Sequence, residues 1–250
     1  MSVRHLPSPA LFEGPVGHVC LALEAGDIES WPQLFADIAL PESLAKAVPK
    51  RKAEFVAGRH CARLALEQAA GGGGGPFAPL PVGPERAPVW PAGYVGSITH
   101  THGYVAAAAA RAGAVRSLGL DSERVMGAET AESVRSMVAL EGELEALAGE
   151  GFDPWQLLTL VFSVKETLYK CLHPLVGRFF GFHEARLCSL DARAGRYVVE
   201  LTKGLSGEFG PGMRFGGRFA LGAGLVHTGM VLAAGGGAAG GGAAGEGAGA

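Results

Sequence analysis

"GSITHTHGYVAAAAARAGAVRSLGLDSERV", Gly96 to Val125, contains five consecutive alanines at 106–110, and the reading of that run decides the fold. Alanine has the highest helix propensity of any residue, so composition alone suggests a helix. The flanks argue for sheet. Ser97–Thr99 reads as a short strand, His102–Gly103 as a turn, and Tyr104–Val105 opens a second strand that carries the alanines. "VRSLGLDSERV" then alternates as a third strand.

Helical patterns lie on both sides. Upstream, "ESLAKAVPKRKAEFVAGRHCARLALEQAA" has Phe55, Ala62 and Leu66 on one stripe, with Pro49 separating a shorter turn from the main helix. Downstream, "ETAESVRSMVALEGELEALA" reads as two helical pieces. "DPWQLLTLVFSVKETLYKCL" opens with Asp153 as N-cap and Pro154 at the first helical position. Four short strands follow: "ARLCSLD", "RYVVELTKG", "GRFALGAG" and "LVHTGMVLA". The expected class is α+β, with two similar halves at 1–115 and 116–232 related by a pseudo-two-fold and a ligand cleft between them. Residues 233–250 read as a disordered Gly/Ala tail, and "GGGGGP" at Gly71–Pro76 as a linker, since no Gly-Lys-Ser/Thr follows it.

Composition narrows the classes. A net charge of −3 over 250 residues argues against a protein that coats nucleic acid. No run of about 20 apolar residues suggests a membrane span, and the N-terminus lacks a signal-like core. Cys20, Cys61, Cys171 and Cys188 show no CxxC spacing, as in a reduced protein with buried thiols. The expectation is a cytoplasmic protein without nucleic-acid or membrane partners.

Four stretches carry candidate chemistry. Asp121 and Glu123 are i and i+2 on a strand, so both carboxylates aim to one face, Cα atoms roughly 6.5–7 Å apart. A solvated strand face is the ordinary reading of such a pair; a magnesium site is the functional one. Lys165, Glu166 and Lys170 interrupt an otherwise apolar helix. Glu166 and Lys170 suit a surface i,i+4 pair, or a third carboxylate near a metal with two cations for phosphate. Arg51, Arg59 and Arg63 recur at helical spacing, with Lys52 and His60 nearby. Ser97, Thr99 and His100 stand at a strand end.

In this order, "R…FxxxR(H)CAR", "RAPVWP", "GSITH", "GLDSE" and "FSVKETLYK", the chain resembles the 4′-phosphopantetheinyl transferase superfamily, of the type that activates siderophore and surfactin synthetases, like enterobactin synthetase component D. The resemblance covers about Val48 to Lys170. Leu120 and Ser122 replace the usual Ile and Ala, and Thr101 a frequent Cys; no charged group is lost.

The resemblance implies a monomer that transfers phosphopantetheine from coenzyme A to a serine of an apo acyl or peptidyl carrier protein, releasing 3′,5′-ADP. The carriers would belong to fatty acid, polyketide or non-ribosomal peptide synthases. It implies Mg²⁺, with Mn²⁺ as alternative, on Asp121, Glu123 and Glu166. Arg51, Arg59 and His100 would bind the 3′-phosphate or pyrophosphate. Arg86, Ser97 and Thr99 would line the coenzyme site, and Lys165 and Lys170 would grip the pyrophosphate. Glu166 would be the base, with Lys170 stabilising charge. The rival readings are another Mg²⁺-dependent phosphoryl or pyrophosphate enzyme, and a non-catalytic coenzyme A- or carrier-binding protein of the same fold.

Overall fold

The alanine run is a strand. In the computed structural model, which describes residues 3–24, 28–71, 76–84 and 87–235, all five alanines are fully buried. In chain order the elements are β1 (His5–Leu6), β2 (Val16–Ala22), α1 (Trp31–Leu34), α2 (Pro49–Ala69), β3 (Tyr94–Thr101), β4 (Tyr104–Arg111) and β5 (Val115–Arg124). Then follow α3 (Ala128–Val138), α4 (Glu143–Leu147), α5 (Pro154–Val176), β6 (Ala185–Asp191), β7 (Arg196–Leu201), β8 (Arg214–Gly222) and β9 (Leu225–Ala233).

Strand geometry explains why the alanines are not helical. Alternate residues point to opposite faces. Val105, Ala107 and Ala109 pack under α2 with Ala53, Ala57 and Ala65, while Ala106, Ala108 and Ala110 pack against Leu118 and Leu120 of β5. A strand covered on both faces reads as a continuous apolar run, and methyl groups let both layers close on it.

β4 lies inside a four-stranded antiparallel sheet of order β1-β2-β4-β3. The remaining strands form a second antiparallel sheet of order β5-β9-β8-β7-β6. Each sheet carries one long helix, so the class is α+β. The strands β1 and β2 carry no signal in the sequence reading, because Gly17 and His18 break the alternation of "VGHVCLA".

Gly17 has a packing reason. A Cβ there would stand 2.1 Å from the Ala65 carbonyl oxygen of α2. Gly119 of β5 faces α5 in the same way, 2.0 Å from the Thr167 carbonyl oxygen. Each long helix thus seats its backbone on a glycine of its own sheet.

The helix starts follow the sequence. Asp153 accepts from the amides of Trp155 and Gln156, both at 2.9 Å, and Gln156 accepts from the Asp153 amide, completing a capping box on α5. Pro49 opens α2 after a single 3₁₀ turn at Glu42–Leu44. Among the described residues no helix is long and apolar enough to cross a membrane. Arg86, most of the glycine run and the tail after 235 lie outside the described residues.

The sheets meet at their edges, β3 against β5, through side chains. Ser97 Oγ accepts from the Leu120 amide at 3.1 Å, and Thr99 Oγ1 accepts from the Ser122 amide at 3.0 Å. Two hydroxyls thereby satisfy edge amides that no neighbouring strand pairs.

Because α5 rests directly on Gly119, Gly119→Ala should destabilise the protein by about 1–3 kcal/mol or more, the usual cost of overpacking. Urea unfolding measures it; a midpoint equal to the wild type would show that α5 does not depend on this close approach.

Candidate active site

One face of α5 is polar where it meets β5. Ser163, Glu166, Thr167 and Lys170 fall at i, i+3, i+4 and i+7, the spacing of one helix face. Opposite them β5 presents Asp121 and Glu123 with the side-chain parity of Gly119.

Asp121 is 2% exposed, and every bond it makes is to a donor. Oδ1 accepts from Lys170 Nζ at 2.6 Å and Thr99 Oγ1 at 3.2 Å; Oδ2 accepts from Ser163 Oγ at 2.8 Å. Lys170 also donates to the Leu120 carbonyl at 3.3 Å. Glu123 accepts from Thr101 Oγ1 at 3.4 Å. Burial pushes the Glu123 carboxyl up to about 7, helped by repulsion from Asp121 and Glu166 and opposed by Lys170. Burial likewise raises Glu166, with Lys170 opposing and Asp121 adding to the shift.

Three carboxylates thus share one neighbourhood with one ammonium. Among the described residues no three His, Cys, Asp or Glu side chains converge at metal-ligand spacing. The donor set nevertheless suits a hard cation: the groups are oxygen acids, and burial, then repulsion from its neighbours, disfavours the ionised Glu123, a penalty that a nearby cation would relieve.

Beside the acids lies a basic pocket of about 170 Å³, lined by Arg51, Phe55, Arg59, Ile98 and His100 among others. The two are electrostatically continuous, because His100 feels Glu54, Arg51, Lys170 and Asp121. Burial lowers His100, keeping it neutral, and its Nε2 accepts from Arg51 Nη1 at 2.6 Å. Glu54, 8% exposed, stands 3.4 Å from Arg51 and 3.7 Å from His100.

Arg59 is 5% exposed, and its Nε and Nη2 have no hydrogen-bond partner among the described residues. Its guanidinium lies 4.8 Å from the Phe55 ring centroid. Burial brings its pKa down to about 10, so it stays charged at neutral pH.

The structure therefore brings together Asp121, Glu123, Glu166 and Lys170, and beside them Arg51, Arg59 and His100. Other expected residues fall elsewhere. Ser97 and Thr99 are buried and spend their hydroxyls on β5, so they build the seam rather than present free groups. Arg63 pairs with Asp37 and His60.

Lys165 sits about 100° around the helix from Glu166, on the side facing α3 and α4. Its side chain is 1% exposed, and Nζ donates to Glu143 at 2.8 Å and to the Val138 carbonyl at 2.9 Å. Glu143 also accepts from the amides of Leu140 and Leu187. This placement differs from the expected grip on pyrophosphate: the ammonium is used in a satisfied buried ion pair. The sequence reading missed Ser163, Thr167, Glu54 and Glu143. The 163/166/167/170 spacing, and Glu54 three residues after Arg51, were the available signals.

Acids, an ammonium and a basic pocket converge at the seam of the two sheets. Comparison with known proteins narrows the class. Residues 40–110 match the model of the 4′-phosphopantetheinyl transferase N-terminal domain, and residues 117–209 that of the 4′-phosphopantetheinyl transferase superfamily. The chain is 41% identical over 198 residues to 4′-phosphopantetheinyl transferase Svp of Streptomyces mobaraensis, covering 76% of each chain. It is 36% identical over 220 residues to 4′-phosphopantetheinyl transferase Npt of Nocardia iowensis, covering 84% of this chain and 96% of the relative. Enterobactin synthase component D of Salmonella typhi is 34% identical over 151 residues, 60% of each chain. The chain belongs to the 4′-phosphopantetheinyl transferase superfamily and is an enzyme of that class.

Lys165→Met should destabilise the protein by about 3–5 kcal/mol, because it leaves Glu143 a buried, unneutralised charge. Denaturant unfolding with coenzyme A titration of the folded fraction checks it. Full stability combined with lost coenzyme binding would return Lys165 to the pyrophosphate.

Proposed function

We propose that the seam site moves 4′-phosphopantetheine from coenzyme A to the serine of an apo acyl or peptidyl carrier protein. The serine Oγ forms a bond to the phosphorus that bears the pantetheine, the bond from that phosphorus to the bridging oxygen breaks, and 3′,5′-ADP leaves. The observation that carries this reading is the placement of the acid cluster and Lys170 against a pocket lined by buried Arg59, whose Nε and Nη2 have no partner among the described residues.

A buried guanidinium whose Nε and Nη2 lack acceptors among the described residues calls for an anion, and the 3′-phosphate supplies one. Arg51 and His100 line the same pocket, and His100 is coupled electrostatically to Asp121 and Lys170, so a pyrophosphate would run past these two residues toward the acids. His100 offers a donor if anion binding protonates it. Lys170, 27% exposed at its side chain, reaches the same seam and stabilises charge on the departing oxygen.

Asp121 and Glu123 would hold Mg²⁺ or Mn²⁺, whose charge offsets that of the pyrophosphate. Glu166 takes the serine proton. Burial raises its pKa, which makes it a stronger base than an exposed carboxylate. All these groups come from one chain, so the site is complete in a monomer. The enterobactin synthase relative supports non-ribosomal peptide carriers as substrates. Mass spectrometry of apo-carriers incubated with coenzyme A and Mg²⁺ tests the reaction; a panel without mass gain would overturn it.

Glu166→Gln should lower kcat by about 10²–10⁴-fold, the usual loss of a general base, with coenzyme A affinity little changed. Unchanged kcat would move the base role to Glu123. Arg59→Ala should weaken coenzyme A more than 3′-dephospho-coenzyme A in calorimetric titrations; equal losses would move Arg59 to the pyrophosphate or to packing.

A further inference from the structure

A carboxylate stands in the wall of the basic pocket, where a phosphate has no use for it. Glu54, 8% exposed, lines the cavity together with Arg51, Arg59 and His100. An ionised acid there repels an entering anion, so its place needs a reason. Glu54 Oε2 lies 3.4 Å from Arg51 Nη1 and 3.7 Å from His100 Nδ1, and Oε1 lies 3.9 Å from Lys50 Nζ. The shortest contact of the group joins two of these partners to one another: Arg51 Nη1 is 2.6 Å from His100 Nε2.

Counting protons fixes the imidazole. A guanidinium only donates, so His100 Nε2 accepts. The one proton of the neutral ring then sits on Nδ1, the nitrogen that faces Glu54. A carboxylate on that side sets the tautomer and favours the charged ring. Burial opposes that charge most, and Arg51 and Lys170 oppose it too; Glu54 favours it, and Asp121 does so more weakly. The side chain of Arg51 is 43% exposed, so it has room to turn from His100 toward an anion in the pocket.

We propose that Glu54 is a positioning residue: it holds His100 through Nδ1 so that, when a phosphate of coenzyme A draws Arg51 away from Nε2, that nitrogen takes a proton from solvent and donates to the anion. The inference rests on the reading of this pocket as the site of the coenzyme A phosphates. Neutral in the free protein and charged in the complex, His100 makes affinity highest on the acid side and lets it fall as pH rises through the pKa of the complex.

The test is calorimetric titration of the full chain with coenzyme A, Mg²⁺ present throughout, between about pH 5 and about pH 8, where a histidine titrates. Repeating each titration in buffers of different ionisation enthalpy counts the protons taken up. Asp121, Glu123 and Lys170 face the same seam and the phosphates titrate as well, so His100→Gln supplies their share. The wild type should exceed His100→Gln by up to about one proton, a dependence of up to about tenfold in affinity per pH unit. Glu54→Gln should take up no more than His100→Gln and lose that dependence. Affinity at a single pH is not the readout, because removing the carboxylate also removes its repulsion of the anion. If Glu54→Gln does not fold, Glu54→Asp, one methylene shorter, takes its place and should fall between wild type and His100→Gln. A merely structural Glu54 would lower the melting temperature and leave the proton count alone. Uptake equal to the wild type in the variant used, or a wild type equal to His100→Gln, overturns the proposal. Coenzyme A affinity that neither Arg51→Ala nor Arg59→Ala weakens overturns the phosphate reading of the pocket itself, while affinity weakened there with an unmoved proton count overturns the role of Glu54 alone.

Discussion

The burial of Asp121 between two sheets is the constraint on which the rest of the site depends. A carboxyl group that is 2% exposed is costly to bury unless donors reach its oxygens. Its three donors come from two elements: Thr99 from β3, Ser163 and Lys170 from α5. β3 belongs to one sheet, while β5 and α5 belong to the other layer pair. Holding the charge therefore means holding the halves together, and the same Thr99 hydroxyl that donates to Asp121 accepts the Ser122 amide.

Charge is divided sharply along α5. On the face toward β5, one ammonium serves three carboxylates, and burial, with repulsion between the acids adding to it, raises Glu123 and Glu166. On the face toward α4, Lys165 and Glu143 neutralise one another, and two backbone amides complete the carboxylate's bonding. Two lysines five residues apart thus meet different fates. The first is used up inside the fold; the second stays near a surface where an anionic substrate can compete for it.

The close seat at Gly119 explains how α5 comes near enough to β5 for this. Helix backbone against strand backbone brings short side chains such as Ser163 and Thr167 within reach of β5 and β9. A bulkier residue at Gly119 would move α5 outward and lengthen those bonds. The same economy of size runs through β4, whose methyl groups let α2 and β5 pack on both of its faces.

Much of this was readable in the chain before any coordinates. The Asp153 cap and Pro154 marked the start of α5, the flanking Tyr and Val marked the alanines as strand, and the i,i+2 acids and the arginines at helical spacing carried the resemblance to phosphopantetheinyl transferases. Those features are local: they depend on backbone periodicity and capping, which neighbouring residues set. What only the tertiary structure decided is which charges end up partnered. Lys165 and Lys170 look alike in sequence, and Ser163 looks like an ordinary polar position in an apolar helix. Whether a side chain reaches Glu143 or Asp121 depends on residues more than twenty positions away. That separation is closed by packing, not by any period in the chain.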